Sequence, residues 1–153
     1  MLLSIVKLLY LLVYSVIASQ PIFYVLALSK VQKQMQPSSY IEMRNLIDKE
    51  IEIGLKIAYY SLLALSITIT SLHVMESDKL YIITSVVSLV TIIADLFLAV
   101  KRNVPINAKI REWTPESYPA DWHQYRDKWF YFFNLRKSLI IIGFVSALVG
   151  IIF

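Results

Sequence analysis

Several residue types that support catalysis in soluble enzymes are scarce or missing from this sequence. Cysteine is absent, which excludes disulfides, thiolate nucleophiles, iron–sulfur clusters and cysteine-type zinc sites. The only histidines are His73 and His123, which lie far apart in the sequence. A haem or di-metal site inside a helical bundle usually requires more histidine and glutamate than these apolar segments offer. We therefore expect neither a metal nor another cofactor.

Sequence motifs of the common enzyme classes are also missing. The chain has no glycine-rich phosphate loop, no HExxH motif and no nucleophile elbow. His73 stands alone in the polar segment HVMESDK, which we interpret as a tight turn between two apolar segments. We expect His73 to be a solvated loop residue there, because nothing nearby completes a metal site.

Long uncharged segments dominate the composition. Hydrophobic residues make up 58% of the 153 residues, and they fall in four blocks, each close to the length of about 20 residues that spans a bilayer. The first block extends to Leu28, which is longer than the apolar region of a signal peptide. We predict one all-α domain, 1–153, that forms a four-helix transmembrane bundle. The predicted spans are about 5–29, 51–73, 80–101 and 122–153.

Local signals refine the first half of the chain. Pro21 follows Gln20 inside the first block, which predicts a packing kink or a polar pocket with Gln20 on its wall. Ser39-x-x-Glu42 matches a helix capping box, and apolar residues then recur at helical spacing. We interpret this segment as an amphipathic approach to the second span, with its mixed charges on a solvated face. The recurring apolar residues are Tyr40, Met43, Ile47 and Ile51.

The net charge of +4 is carried by segments beside the apolar blocks. Orientation in the membrane and contact with lipid headgroups explain this charge more simply than nucleic-acid binding. The positive-inside rule places both long polar loops in the cytoplasm and both termini outside the inner or plasma membrane. The last helix is expected to begin near Pro119 and to extend into the cytoplasm. A homo-oligomer is plausible for so small a unit, although Gly143 and Gly150 do not form a GxxxG pair.

Asp95 is the one charged residue in the third block. A carboxylate at this depth is costly unless it is paired or faces a polar cavity. Asp95 is therefore either a functional residue or one member of an interhelical tie, and the sequence leaves both alternatives open. Candidate partners are Arg102, Arg126 and Arg136.

The segment from Asn103 to Arg136 carries the pattern N-x-P-x-N, then W-x-x-x-R-x-x-W, then an arginine that opens the fourth span. This pattern resembles the small four-helix membrane proteins of the DUF1772 or anthrone oxygenase-like family. The family's best-known members oxidise anthrones to anthraquinones with molecular oxygen, without metal or flavin. Many members have an Asn-His pair where this chain has Phe133 and Asn134. The matching residues are Asn103, Pro105, Asn107, Trp122, Arg126, Trp129 and Arg136.

The resemblance implies a cofactor-free oxygenase or a protein that binds a small aromatic or hydrophobic molecule. Its site would lie at the cytoplasmic ends of the third and fourth helices, with a base, an enolate-stabilising arginine and stacking aromatic rings. The candidate catalytic residues are Asp95, Arg126, Asn134 and Arg136. The candidate substrate-binding residues are Asn103, Asn107, Trp122, Tyr125 and Trp129.

The alternative is a non-catalytic accessory subunit of a membrane assembly. In that case Asn103-x-Pro105-x-Asn107 caps the third helix and turns the chain back. The arginines pair with acidic residues or bind lipid phosphate, and the aromatic residues form a belt at the membrane interface. A transporter or channel is a third alternative, which four spans and one buried aspartate support only thinly.

Overall fold

Four long helices make up the protein in the computed structural model, which describes residues 2–76 and 78–153. All four are long and apolar enough to cross a membrane, so the predicted all-α four-helix bundle is confirmed. The first helix comprises Leu2–Phe23, a π-helical turn at Tyr24–Leu28, and Ser29–Gln34. The second is Pro37–Glu76, and the fourth is Trp122–Ile152. The third comprises Lys79–Leu98, a π-helical turn at Ala99–Asn103, and Val104–Arg111.

The second helix is too long to lie wholly inside a bilayer. Its 40 residues extend about 60 Å at 1.5 Å per residue, twice the roughly 30 Å of a hydrocarbon core. The charged first third, before the predicted span 51–73, therefore projects beyond the membrane. Short connections make neighbouring helices antiparallel, so the ends of the other helices project on the same side. We call this projecting part, residues 29–50 and 101–134, the head.

Inside the membrane part, the third and fourth helices approach each other closely. A Cβ atom added at Gly150 would overlap Thr84, and one added at Gly143 would overlap Thr91 and Tyr14. Small residues that permit such contact are typical of helix interfaces in membranes. Both glycines thus serve packing within this chain. Large apolar side chains remain exposed on the outside, for example Leu26 and Ile53, as expected for a surface that faces lipid.

Two predictions for the segment between the first and second spans are wrong. The segment is not a long loop, because only residues 35–36 separate the first helix from the second. The second helix begins at Pro37, so Ser39 lies inside the helix and is not a capping residue. Proline suits this position because the first helical turn needs no N–H donor there. Pro21 does not interrupt the first helix, which continues into the π-helical turn.

The prediction that His73 is a solvated loop residue is also wrong. His73 lies within the second helix and is 1% exposed. Its Nδ1 atom lies 3.1 Å from the carbonyl oxygen of Tyr81, and its ring packs against the Tyr81 ring. The turn comes later than predicted because the second helix continues to Glu76. Ser77, which was part of the predicted turn, lies outside the described residues.

The asparagine–proline motif does not turn the chain back. The third helix continues through Asn103, Pro105 and Asn107 and ends at Arg111. Pro105 lies in the first turn of the segment that follows the π-helical turn, where the missing N–H does not break a regular helical hydrogen bond. The chain reverses in residues 112–121, and the fourth helix begins at Trp122, three residues after Pro119. The motif therefore presents both asparagines from a helix.

Candidate functional site

The structure divides the nine candidate residues into three groups. Five pack in the interior of the head, two form an ion pair deeper in the bundle, and two lie beside a depression on the surface of the head. Asp95 and Asn103 are eight residues apart on the third helix, about 12 Å along its axis. The ion pair and the group in the head therefore lie at different heights in the bundle. The head group is Asn103, Asn107, Trp122, Tyr125 and Trp129; the ion pair is Asp95 and Arg136; the surface pair is Arg126 and Asn134.

Asp95 is enclosed by donors from the second and fourth helices. The Arg136 Nε atom donates to Asp95 Oδ1 at 2.7 Å, and Nη2 donates to Oδ2 at 3.3 Å. The Tyr59 hydroxyl donates to the same Oδ2 at 2.6 Å and accepts from Arg136 Nη2 at 3.1 Å. The Asp95 side chain is fully buried. Of the three candidate arginines, Arg136 is thus the partner, and the cluster ties three helices together.

The centre of the head is a second buried ion pair. Arg44 is 2% exposed, and its Nη2 atom donates to Asp48 Oδ1 at 2.7 Å and to Asn107 Oδ1 at 2.9 Å. The guanidinium carbon lies 4.5 Å from the centre of the Trp129 ring, a distance at which cation and ring attract each other. Arg44 therefore joins the second, third and fourth helices at one point.

The charges of this segment were predicted to lie on a solvated face, and for Arg44 and Asp48 that prediction is wrong. Both are buried, whereas Ile51, predicted on the apolar face, is 41% exposed. The inward residues Tyr40, Arg44 and Asp48 are spaced by four, so they share one side of the helix. An arginine and an aspartate at this spacing can neutralise each other, and that was the signal available in the sequence.

Aromatic rings pack around this part of the head. The Trp129 and Phe133 rings are stacked with centres 4.9 Å apart and planes 10° apart. Such rings bury large apolar areas and form flat walls. The other ring pairs are Tyr24–Phe133, Tyr24–Trp129, Tyr40–Trp122 and Trp113–Tyr125, with centres between 4.5 and 5.6 Å apart.

Polar atoms without a hydrogen-bond partner are concentrated in the head. Within the described part of the chain, seven of the ten buried side-chain atoms of this kind belong to head residues. An unsatisfied buried polar group costs about 1–3 kcal/mol, so these atoms are expected to bind ordered water or polar groups of another molecule. The seven atoms are Gln32 Oε1, Tyr40 OH, Arg44 Nε, Asn45 Oδ1, Asp48 Oδ2, Asn103 Oδ1 and Trp129 Nε1.

Burial changes the proton affinity of two ionisable groups in the head, Asp48 and Tyr40. Burial raises the pKa of the Asp48 carboxyl above its ordinary value, and the Arg44 guanidinium acts in the opposite direction. Burial also raises the pKa of Tyr40 to about 12, so this phenol stays protonated near neutral pH. Asp48 thus combines an unpartnered oxygen with an increased affinity for a proton. Both properties suit a proton acceptor.

Arg126 and Asn134 lie at the surface and not in the Arg44 centre. Arg126 donates from Nε to Asp127 at 3.0 Å and from Nη1 to the Lys33 carbonyl oxygen at 3.2 Å. Asn134 is exposed, and its Oδ1 atom accepts from Lys137 at 3.3 Å. Both residues border an open depression of about 400 Å³. Within the described part of the chain, neither makes a hydrogen bond to Arg44, Asp48 or Asn107.

The described residues contain no group of three or more histidine, aspartate or glutamate side chains positioned to hold a metal ion. In comparisons with known proteins, no family model, no curated protein and no solved structure matches the chain. The resemblance to the anthrone oxygenase-like family therefore remains a prediction from the sequence.

Proposed function

We propose that this integral membrane protein binds a small, flat aromatic molecule with oxygen substituents in its head. We further propose that it oxidises this molecule without a cofactor, as the anthrone oxygenase-like proteins do. The observation that carries the proposal is the set of unpartnered buried polar atoms among stacked aromatic rings. Four of these atoms, on Arg44, Asp48, Asn103 and Trp129, belong to residues in or beside the Arg44 centre.

The chemistry of the head suits such a ligand. Flat aromatic walls bind a planar apolar body, and a few convergent polar groups fix its orientation. The Arg44 Nε and Trp129 Nε1 atoms are donors, which match a carbonyl or enolate oxygen. The free Oδ atoms of Asp48 and Asn103 are acceptors, which match hydroxyl groups on the ring system. The ligand displaces ring–ring contacts of the head when it enters.

The proposed reaction begins with removal of an acidic C–H proton by Asp48 Oδ2. Arg44 stabilises the negative charge that develops on the enolate oxygen. The enolate then gives electrons to molecular oxygen. One oxygen atom becomes a new carbonyl of the product, and the other leaves as water with the two hydrogens lost from the same carbon. Substrate and oxygen are consumed mole for mole.

Asp48 fits the role of base better than Asp95, the base suggested by the sequence. Both oxygens of Asp95 already accept hydrogen bonds from Arg136 or Tyr59, whereas Asp48 Oδ2 has no partner among the residues that the structure describes. Asn134, at the position of the family's histidine, is exposed. In this proposal Asp95 and Arg136 stabilise the bundle, and Arg126 and Asn134 lie outside the site.

Replacing Asp48 by asparagine should remove turnover and keep binding. Asparagine preserves the shape and the acceptor for Arg44 but cannot take a proton, so the rate is expected to fall about 100-fold or more. The measurement is oxygen uptake by the purified protein in lipid nanodiscs with anthrone as the probe. Glu42→Gln removes an exposed carboxylate from the same helix and serves as the matched control.

Three outcomes of this experiment are informative. Loss of uptake in Asp48→Asn alone, with anthrone binding retained, supports the proposed reaction. Equal uptake by wild type and Asp48→Asn rejects Asp48 as the base. Binding of anthrone by wild type without any oxygen uptake rejects the oxygenase and leaves a binding protein.

A non-catalytic accessory subunit is the second candidate function. The Asp95–Arg136–Tyr59 cluster favours it, because this cluster gives the polar residues of the membrane part a purely structural explanation. If the head is structural in the same way, substitutions at Arg44 lower stability or assembly and no small aromatic probe binds.

A further inference from the structure

The depression between the first and fourth helices is separate from the Arg44 centre and has its own chemistry. It has a volume of about 400 Å³ and is open to the outside. Its lining combines two cations, one carboxylate, one amide and two aromatic rings. The lining residues are Lys33, Arg126, Asp127, Phe130, Tyr131 and Asn134.

From this depression we infer a binding site for the phosphodiester headgroup of an anionic membrane lipid. The inference does not depend on the proposed function, because Lys33, Arg126 and Asp127, which carry the charges of the depression, have no role in the proposed aromatic site.

The depth of the depression in the membrane supports a lipid as the ligand. Lys33 lies one helical turn beyond Ser29, where the first uncharged segment ends, and Asn134 lies one turn before Ser138, where the last one begins. Four helical residues correspond to about 6 Å. The headgroup layer occupies a similar thickness on each side of the hydrocarbon core. The edge of the depression at Lys33 and Asn134 therefore lies at the level of lipid phosphates, and the Arg126 guanidinium is brought to this level because it donates to the Lys33 carbonyl oxygen.

The charges of the depression match a single phosphodiester. Lys33 and Arg126 contribute two positive charges and Asp127 one negative charge, so the lining residues carry a net charge of +1. Arg126 is held in place by Asp127 and by the Lys33 carbonyl oxygen, and its guanidinium lies 5.0 Å from the Trp122 ring centre. An arginine fixed in this way is prepared to donate to phosphate oxygens.

The donors needed for a phosphate remain available. Among the described residues, neither Arg126 Nη2 nor Lys33 Nζ has a hydrogen-bond partner. The Lys33 ammonium lies over the Phe130 ring, 5.6 Å from its centre. Tyr131 is 61% exposed beside them, and a tyrosine at this depth is typical of a membrane interface. Cationic donors and an interfacial ring thus border the same opening.

Removing either cation should weaken retention of an anionic lipid about fivefold, since one basic residue at a membrane surface contributes about that factor. The measurement is native mass spectrometry of the full chain in a mild detergent supplemented with phosphatidylglycerol or phosphatidylcholine. The variants are Lys33→Gln and Arg126→Gln. Lys128→Gln removes an exposed cation from the same helix and is the matched control.

The inference predicts a phosphatidylglycerol adduct that both variants weaken and that Lys128→Gln leaves unchanged. Inorganic phosphate at millimolar concentration should not displace the adduct. Unchanged retention in Lys33→Gln overturns the inference, and so does an equal loss in Lys128→Gln. Displacement by inorganic phosphate, or equal retention of phosphatidylcholine, overturns the assignment to an anionic lipid. If Arg126→Gln fails to fold, Lys33→Gln still tests the inference. The Lys33 ammonium contacts only the Phe130 ring among the described residues, so this substitution is expected to leave the fold intact.

Discussion

Replacing Asp95 by leucine is expected to destabilise the bundle by about 3–5 kcal/mol. The substitution removes the carboxylate and leaves the guanidinium of Arg136, whose side chain is 14% exposed, without its counter-charge. The Tyr59 hydroxyl also loses its acceptor, because it donates to Asp95 Oδ2. The free energy of unfolding in detergent micelles, followed by the circular dichroism of the helices, measures the loss.

A double variant distinguishes a broken ion pair from a general packing defect. Asp95→Leu combined with Arg136→Met removes both charges and should recover most of the stability, because a buried pair replaced by apolar side chains is often neutral. Glu52→Gln breaks an exposed pair with Lys56 and should change nothing measurable. Wild-type stability of Asp95→Leu alone would contradict the structural role of the cluster.

The second large effect is expected at Gly150. Leucine at this position places its first side-chain carbon against Thr84, where a Cβ atom already overlaps. The third and fourth helices must then separate, and overpacking of this kind costs about 1–3 kcal/mol, occasionally more. The free energy of unfolding in micelles, measured as for Asp95→Leu, should fall by this amount because the two helices lose contacts with each other.

Gly54 provides the matched control for this substitution. It also lies within a helix, but a Cβ atom added there meets nothing within 4 Å. Gly54→Leu is expected to leave stability unchanged or to raise it slightly, because leucine favours a helix more than glycine does. Equal effects at the two positions would show that close approach at Gly150 does not limit the packing of the helices.

The number of helices and the special position of Asp95 were predictable, because both depend on how apolar and charged residues are distributed along the sequence. Four apolar segments predicted four helices, and Asp95 within one of them indicated an ion pair or a functional group. The choice among the arginines was not predictable. Arg126 and Arg136 are ten residues apart, which turns them to different sides of a helix with 3.6 residues per turn. Only the packing shows that Arg136 faces Asp95 and that Arg126 faces Lys33 beside the surface depression.

The candidate site was only half predictable for a related reason. Asn103, Asn107 and Trp129 were identified from the motif, and the structure brings them together in the head. Arg44 and Asp48 were missed because a charged residue on an amphipathic helix usually faces water. Their mutual neutralisation depends on two other helices covering them. A local pattern does not contain that information.

The most direct test of the proposed site uses its own tryptophans. The chain contains three, and all three, Trp113, Trp122 and Trp129, lie in the head. Tryptophan fluorescence, excited selectively over tyrosine, therefore reports on this part alone. Titration of the protein in nanodiscs with anthrone, corrected for absorbance of the probe, should give saturable quenching.

Arg44→Gln should weaken this binding about tenfold or more, since a hydrogen bond from a charged donor contributes about 1.5–3 kcal/mol. The exposed control Glu42→Gln should bind like wild type. That pattern is the result predicted by a ligand site centred on Arg44. Quenching that does not saturate, or equal affinity in wild type and Arg44→Gln, would contradict it.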